Sequence, residues 1–463
     1  MKIEQIYTGC LAHAAYYIES KGEVAIFDPL REVHPYIERA EKDQAKIKYI
    51  FETHFHADFV SGHLDLAKKT GAKIIFGPTA KPNYEAIIAK DGQVFKVGDY
   101  TLKLLHTPGH TMESIVVLLI DENGKEHGII SGDTLFIGDV GRPDLAQHVV
   151  ADLTEKKLAG YLFDSLRNKI MPLSDDLIVY PNHGAGSACG KKMSDETTDT
   201  LGHQKKTNYA LRADMTKEEF IIEVLDGLST PPAYFPANVL MNINGYNPLD
   251  TVIKTSKKPL SVANFETIAN TTEALILDVR HKEDFVKGHI PNAIFIGIDS
   301  SSFAPWVGAL IGDVQQSILL VADIGREEEV ITRLARIGFD NVTGYLKGGF
   351  NTWKEASKEI AIINSITAKK ITKILKKEKP PIFDVRKENE FLKAHLLNAK
   401  HTCLSSINSH LKNFPKDKIF YIHCASGYRS VITASILKSR GIHNFIDIVG
   451  GFNALKKESI TLG

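Results

Sequence analysis

The strongest constraint on how this chain folds is that part of it is written twice. ILDVRHKEDFVKGHIPNA (276–293) and IFDVRKENEFLKAHLLNA (382–399) match without a gap at nine of eighteen positions. Each copy leads to an apolar run, ILLVA (318–322) and IFYIHC (419–424), and then to a glycine pair in KGGFNTW (347–353) and VGGFNAL (449–455). Strand, turn and helix signals alternate in both, which predicts α/β units built on parallel sheets. A period of about 100 residues is too long for a solenoid, so the copies are expected to be tandem domains.

The 463 residues suggest roughly three domains at about 150 residues each. The predicted boundaries give 1–250, 251–360 and 361–463, with the Pro- and Asn-rich stretch LSTPPAYFPANVLMNINGYNPLD (228–250) as a linker. Lys plus Arg equals Asp plus Glu, 56 each, and no run of one sign occurs, which excludes a basic footprint for nucleic acid. IVVLLI (115–120) is far too short to span a membrane, and MKIEQIYTGC has no apolar signal core. A soluble cytoplasmic protein with no membrane partner is expected, and a homo-oligomer is compatible with the sequence. Cys10, Cys189, Cys403 and Cys424 are too few and too scattered for a disulfide framework, so a cysteine that matters here should act as a thiol.

In the first 240 or so residues, short apolar runs end directly in polar clusters. IKYIF (47–51) runs into ETHFHAD, LKLL (102–105) into HTPGHT, GII (128–130) into SGDT, and LIVY (177–180) into PNHG. Loops at strand ends are where α/β proteins place their chemistry. These four carry His54, His56 and Asp58, then His110, then Asp133, then His183. One His-x-His alone is weak, whereas four such loops in order are hard to attribute to accident. With no cysteine partner among them, a structural thiolate zinc site is not expected.

On ETHFHADF, TPGHT, SGDTL and YPNHG the chain resembles the metallo-β-lactamase superfamily over roughly residues 1–240. The resemblance implies an αββα sandwich with a metal at one edge. Binuclear zinc hydrolases of this superfamily carry His-x-His-x-Asp-His, and here the last position is Phe59. The branch most resembled is the persulfide dioxygenases. It implies one Fe(2+) per N-terminal domain held by His54, His110 and Asp133, with His56, Asp58 and His183 orienting ligands and waters. Two histidines and one carboxylate leave open positions for substrate and O₂ together. Spacing alone leaves open whether His56 is a direct ligand. The segment GDVGRPD (138–144) matches that family's substrate-side motif. Arg142 is expected either to pair with a carboxylate or phosphate on a thiol carrier or to form an internal salt bridge. GAGSACG (184–190) brings Cys189 near the metal, either to bind persulfide or as packing.

HCASGYRS (423–430) lies between an apolar strand and the helical pattern SVITASILKSR. A cysteine there has its sulfur at a helix N-terminus, ringed by backbone N–H groups and beside Arg429, which together stabilise an anionic sulfur. With DVR (384–386) and GGF near 450, the segment resembles the rhodanese family over nearly all of 361–463. Cys424 is then the persulfide-carrying nucleophile, with Arg429 and the backbone of Ala425, Ser426, Gly427 and Tyr428 as its cradle. Cys403 lies outside the loop and reads as structural. Aligning Gly325 with Gly427 puts Ala322 in place of Cys424 and Glu327 in place of Arg429. The first copy therefore resembles a rhodanese without activity.

Together the resemblances imply oxidation of low-molecular-weight thiol persulfides with O₂ to sulfite. Cys424 would pass sulfane sulfur between persulfide and sulfite or thiosulfate. The rival expectations are a Zn(2+)-dependent thioesterase of the glyoxalase II type and a persulfide carrier or sensor.

Overall fold

The computed structural model describes residues 2–145 and 153–463. Two six-stranded sheets form first. One runs in chain order through Lys2–Thr8, His13–Ser20, Glu23–Phe27, Lys46–Phe51, Lys73–Phe76 and Ile87–Ile88. The other runs from Val94–Val97 through Tyr100–His106, Ile115–Ile120, Glu126–Gly132 and Ile178–Pro181 to Asp199–Thr200.

IVVLLI is apolar throughout because both of its faces are covered. Ile115, Val117 and Leu119 join Tyr16, Phe27 and Phe51 of the first sheet in a core between the sheets. Val116 and Leu118 point the other way, onto Leu162, Phe220 and Val224, which lie in helices Glu155–Ser165 and Lys217–Leu225. The outer face of the first sheet is closed by Tyr36, Ala40 and Leu66, from helices His34–Lys42 and His63–Thr70. The result is the expected αββα sandwich.

Each repeat builds a five-stranded, wholly parallel sheet, and the two share one strand order. The first reads Pro259–Leu260, Val342–Leu346, Ile318–Val321, Leu275–Asp278, Ile294–Phe295. The second reads Ser365–Thr367, Phe445–Val449, Phe420–His423, Ile382–Asp384, Lys400–His401. By compactness the chain separates into two units. One holds residues through Val252 together with Gly312–Val314 and Thr332–Phe339, and the other holds the remainder of both repeats. Among the described residues no helix is long and apolar enough to cross a membrane.

The stretch 228–250 departs from its expected role as a linker. It contains helix Phe235–Asn244, with Pro at the start, where its missing N–H costs nothing. Its buried face is clamped onto the first histidine loop. The Asn242 amide donates to the carbonyls of His56 and Phe59 and accepts from the Ser61 N–H, while the Tyr234 hydroxyl donates to the Asp58 carbonyl.

Candidate functional site

His54 follows strand Lys46–Phe51, His110 follows Tyr100–His106, Asp133 follows Glu126–Gly132, and His183 follows Ile178–Pro181. The sandwich therefore brings four carboxyl strand ends, from both sheets, to one edge. The His54 and His110 Nε2 atoms converge on Asp133 Oδ2, at 3.8 and 3.4 Å. These separations are too long for hydrogen bonds and suit three donors turned toward a common point. All three residues are at most 2% exposed, and neither Asp133 oxygen makes a hydrogen bond within the protein. A buried carboxylate left bare in this way fits a cation. His110 Nδ1–H donates to the Arg142 carbonyl at 2.8 Å, which leaves Nε2 as the free lone pair. Burial, then the neighbouring His56 and His110, hold His54 far below the ordinary histidine range, so it too offers a lone pair.

A second cluster lies on the other side of the same carboxylate. His183 Nε2 is 3.7 Å from Asp133 Oδ1 and 3.5 Å from Asp58 Oδ2. The thiol of Cys189 completes a buried group with Asp58 and His183 whose donor atoms lie within 4.8 Å of one another. Both Asp58 oxygens and His183 Nε2 are without hydrogen-bond partners in the protein. Burial, then the Asp58 and Asp133 carboxylates, push the Cys189 thiol well above its ordinary range.

His56 is turned away from the first cluster through Nε2, which donates to Asp28 Oδ1 at 3.0 Å and lies 3.5 Å from Glu52. Burial opposes a charge on this ring, but Asp28, Glu52 and Asp58 outweigh it and hold its pKa at about 9. Asp28, which sequence reasoning missed, ties this edge together: it also accepts from the Thr53 N–H and the Asn182 amide. Its backbone sits at φ 49°, a strained angle that aspartate tolerates better than most. The local signal was an FDP directly after the strand Glu23–Phe27. Phe59, in place of the last metal histidine, is fully buried with its ring 4.3 Å from both His13 and His56.

Arg142 takes up the internal salt bridge, one of the two alternatives above. Its guanidinium forks onto Asp144 at 2.7 Å twice and donates to the Ala188 and Ser229 carbonyls. What it positions is backbone: its N–H meets the Cys189 carbonyl, and its carbonyl holds His110.

In the second repeat, Cys424 ends strand Phe420–His423 and lies before helix Tyr428–Ser439, 1% exposed. Its Sγ accepts from the Gly427 N–H at 3.1 Å, which that residue's φ of +101° makes possible. The glycine pair presses on the loop from behind. A Cβ on Gly451 would lie 2.3 Å from the Cys424 carbonyl oxygen, and its φ is +54°. Arg429 does not stand alone: Glu390, also missed from the sequence, grips it with two hydrogen bonds of 2.5 and 2.8 Å. Ser426 is exposed and Ala425 half-buried. The Tyr428 side chain points away, donating to the Gly297 carbonyl of the first repeat. Cys403, half-buried, hydrogen-bonds Ser405 and takes no part in the loop.

The matching loop of the first repeat is closed on itself. Ala322 holds the cysteine position, and the Gly325 N–H donates to the Glu327 carboxylate at 2.9 Å. A carboxylate thus occupies the donor that holds sulfur in the other copy. Beside it lies a cavity of about 480 Å³ lined by Arg280, Lys287, Ala322, Asp323 and Lys354 among others.

Comparison with known proteins agrees with this architecture. The metallo-beta-lactamase superfamily model matches residues 8–183, and the rhodanese-like domain model matches 261–356 and 367–458. A metallo-beta-lactamase from Staphylococcus aureus subsp. aureus COL is 32% identical, covering 75% of this chain and 98% of that one, with a TM-score of 0.65. The hydroxyacylglutathione hydrolase GloC of Haemophilus influenzae is 27% identical over 217 residues, 42% of this chain and 90% of that protein. The hydroxyacylglutathione hydrolase of Rhizobium etli is 35% identical over 153 residues, 32% of this chain and only 53% of that protein's length. The chain belongs to the metallo-β-lactamase superfamily and carries two rhodanese-like domains behind the sandwich.

Proposed function

We propose that this chain oxidises a low-molecular-weight thiol persulfide with O₂ at the first site and transfers sulfane sulfur at Cys424. The observation that carries the reading is the convergence of His54, His110 and Asp133, two imidazoles and one carboxylate, in a chain that also holds a thiol facing a backbone N–H. An iron held by these three would supply thiolate binding and O₂ activation side by side. The protein's own contribution is orientation. The Arg142 carbonyl fixes the His110 ring, and Thr53 meets His54 Nδ1 at 3.0 Å. A small, mostly apolar cavity of about 50 Å³ bounded by Phe55, Met112, Val239 and Ile243 lies beside His110.

The overall conversion is R–SSH, O₂ and water to R–SH and sulfite, the outer sulfur being oxidised and O₂ reduced. The Cys424 thiolate then attacks the outer sulfur of a second R–SSH. The S–S bond breaks, R–SH leaves, and Cys424 holds a persulfide. Attack by sulfite on that outer sulfur releases thiosulfate and returns the thiolate. The opposite direction, with thiosulfate as donor, uses the same groups.

A second reading is favoured by the Asp58, His183 and Cys189 cluster and by the hydrolase relatives. In it, His54, His110 and Asp133, with Asp58 and His183 beside them, would hold zinc, which would supply a hydrolytic nucleophile for a thioester. Phe59 and the engagement of His56 with Asp28 weigh against it. Metal analysis and O₂ uptake on anaerobically purified protein, supplied with a small persulfide, separate the two. One iron per chain with O₂ consumed and sulfite or thiosulfate formed is the expected result. Two zinc ions, no O₂ uptake after iron reconstitution and thioester hydrolysis would replace the first reading with the second. For either, chelation should abolish activity at the first site and leave sulfur exchange at Cys424 intact.

A further inference from the structure

The peptide between Ser426 and Gly427 is held at both ends. Its N–H donates to Cys424 Sγ at 3.1 Å, and its carbonyl accepts from Lys282 Nζ at 3.3 Å. Lys282 belongs to the first repeat, at the start of helix Lys282–Lys287. A Cβ on Gly427 would lie 3.7 Å from the same ammonium, so the lysine rests directly over the residue whose amide faces the sulfur.

The two repeats are fastened together at this point by contacts that do not involve the lysine. The Phe295 N–H donates to the Ser435 hydroxyl, the Tyr428 hydroxyl donates to the Gly297 carbonyl, and the Phe295 and Tyr428 rings lie 5.8 Å apart. Helix Tyr428–Ser439, which begins at the cysteine loop, is thereby docked on strand Ile294–Phe295 of the repeat that lacks a cysteine. The charged groups around the loop are Arg429 with Glu390, Glu283 at 3.6 Å from Lys282, and the buried Asp447, which feels the Lys282 charge.

We propose that Lys282 is a positioning residue for Cys424, acting through the Ser426–Gly427 peptide. An ammonium on the carbonyl oxygen polarises the amide and makes its N–H a stronger donor. It also ties the peptide so that the N–H stays aimed at the sulfur. The repeat without a nucleophile thus supplies a working part of its neighbour's site. This rests on the sulfurtransferase reading of Cys424.

The test uses the full chain with Lys282→Met, Lys282→Arg and, as a control on the same helix, Lys287→Met. Iodoacetamide alkylation of Cys424 is followed by mass spectrometry across pH, and sulfur transfer is measured from thiosulfate to cyanide. Lys282→Met should move the alkylation profile up by about half a pH unit. It should also lower kcat by about fivefold with KM for thiosulfate within about twofold. Lys282→Arg should keep both near the native values, and Lys287→Met should behave as the native chain. Unchanged alkylation and unchanged kcat in Lys282→Met would overturn the proposal. So would a rise in KM alone, which would make Lys282 a direct anion contact. Alkylation that shifts as stated in a chain that transfers no sulfur would support the positioning role and sink the sulfurtransferase reading.

Discussion

The two repeats keep the same frame around different loops. Arg280 forks onto Asp278 and lies 4.1 Å over the Phe350 ring, and Arg386 does the same with Asp384 and Phe452 at 3.9 Å. His289 stacks on Phe285 at 4.0 Å, and His395 on Phe391 at 3.9 Å. At the loops they part. The Gly427 N–H faces a sulfur, whereas the Gly325 N–H faces a carboxylate of its own chain. Packing of the Asp-Val-Arg corner is therefore indifferent to the chemistry above it, where the loops 322–327 and 424–429 share only their glycine.

The largest test of that comparison is to move the chemistry. Cys424→Ser should lower sulfur transfer by at least about a thousandfold and make sulfite, not thiosulfate, the product. In that background Ala322→Cys alone should recover nothing, because Glu327 still holds the donor. Ala322→Cys with Glu327→Arg should exceed the single variant by about tenfold or more. Equal activity of the two would show that the carboxylate is no barrier.

The glycine behind each loop gives the next contrast. Gly451→Ala would drive a Cβ to 2.3 Å from the Cys424 carbonyl, while at Gly349 the nearest atom, the Ala322 carbonyl, is 3.0 Å away. Gly451→Ala should cost about 3 kcal/mol of stability and Gly349→Ala about 1–2. Urea unfolding of the two variants measures the difference, and the reverse order would break the argument.

A comparable effect is expected from acid. Burial lowers His289 to about 4 from an ordinary value of 6.5, so it is neutral when folded. Its contribution is complete above about 6.5 and lost as pH falls toward 4, by up to about 3 kcal/mol. His289→Gln should flatten this part of the stability profile between pH 7 and 4.5, read as the difference from the native chain. A parallel decline in the variant would locate the acid sensitivity elsewhere. The smallest effect is at Glu390. Glu390→Gln frees Arg429 and should change kcat for sulfur transfer by about threefold or less, with the chain folding as before.

What the sequence disclosed follows chain order and strand ends. The clustering of His54, His110, Asp133 and His183 was legible because each follows an apolar run, and both sheets deliver those run ends to one edge. The duplicated corner and the cysteine loop were legible because their partners lie within a few residues or at matched offsets. Asp28, Glu390 and Lys282 were not, since each acts on a residue 25 or more positions away through a contact only the folded chain creates. Arg142 stayed between two alternatives in the sequence, because Asp144 is close in the chain while Ala188 and Ser229 reach it only once the chain is folded. The stretch 228–250 misled by composition. Pro and Asn marked a linker, yet here Pro opens a helix and Asn satisfies buried backbone.

That helix has a practical bearing on where this protein can be cut. A shortened piece ending near residue 230 would look generous by composition and would keep the four metal loops. It would strip the Asn242 side chain from the His56 and Phe59 carbonyls and the Ser61 N–H, and the Tyr234 hydroxyl from Asp58. Four buried backbone groups would lose their partners at the loop that carries His54. A dissected N-terminal domain should therefore retain residues through at least Val252, and a dead shorter piece would report on its scissors and not on its chemistry.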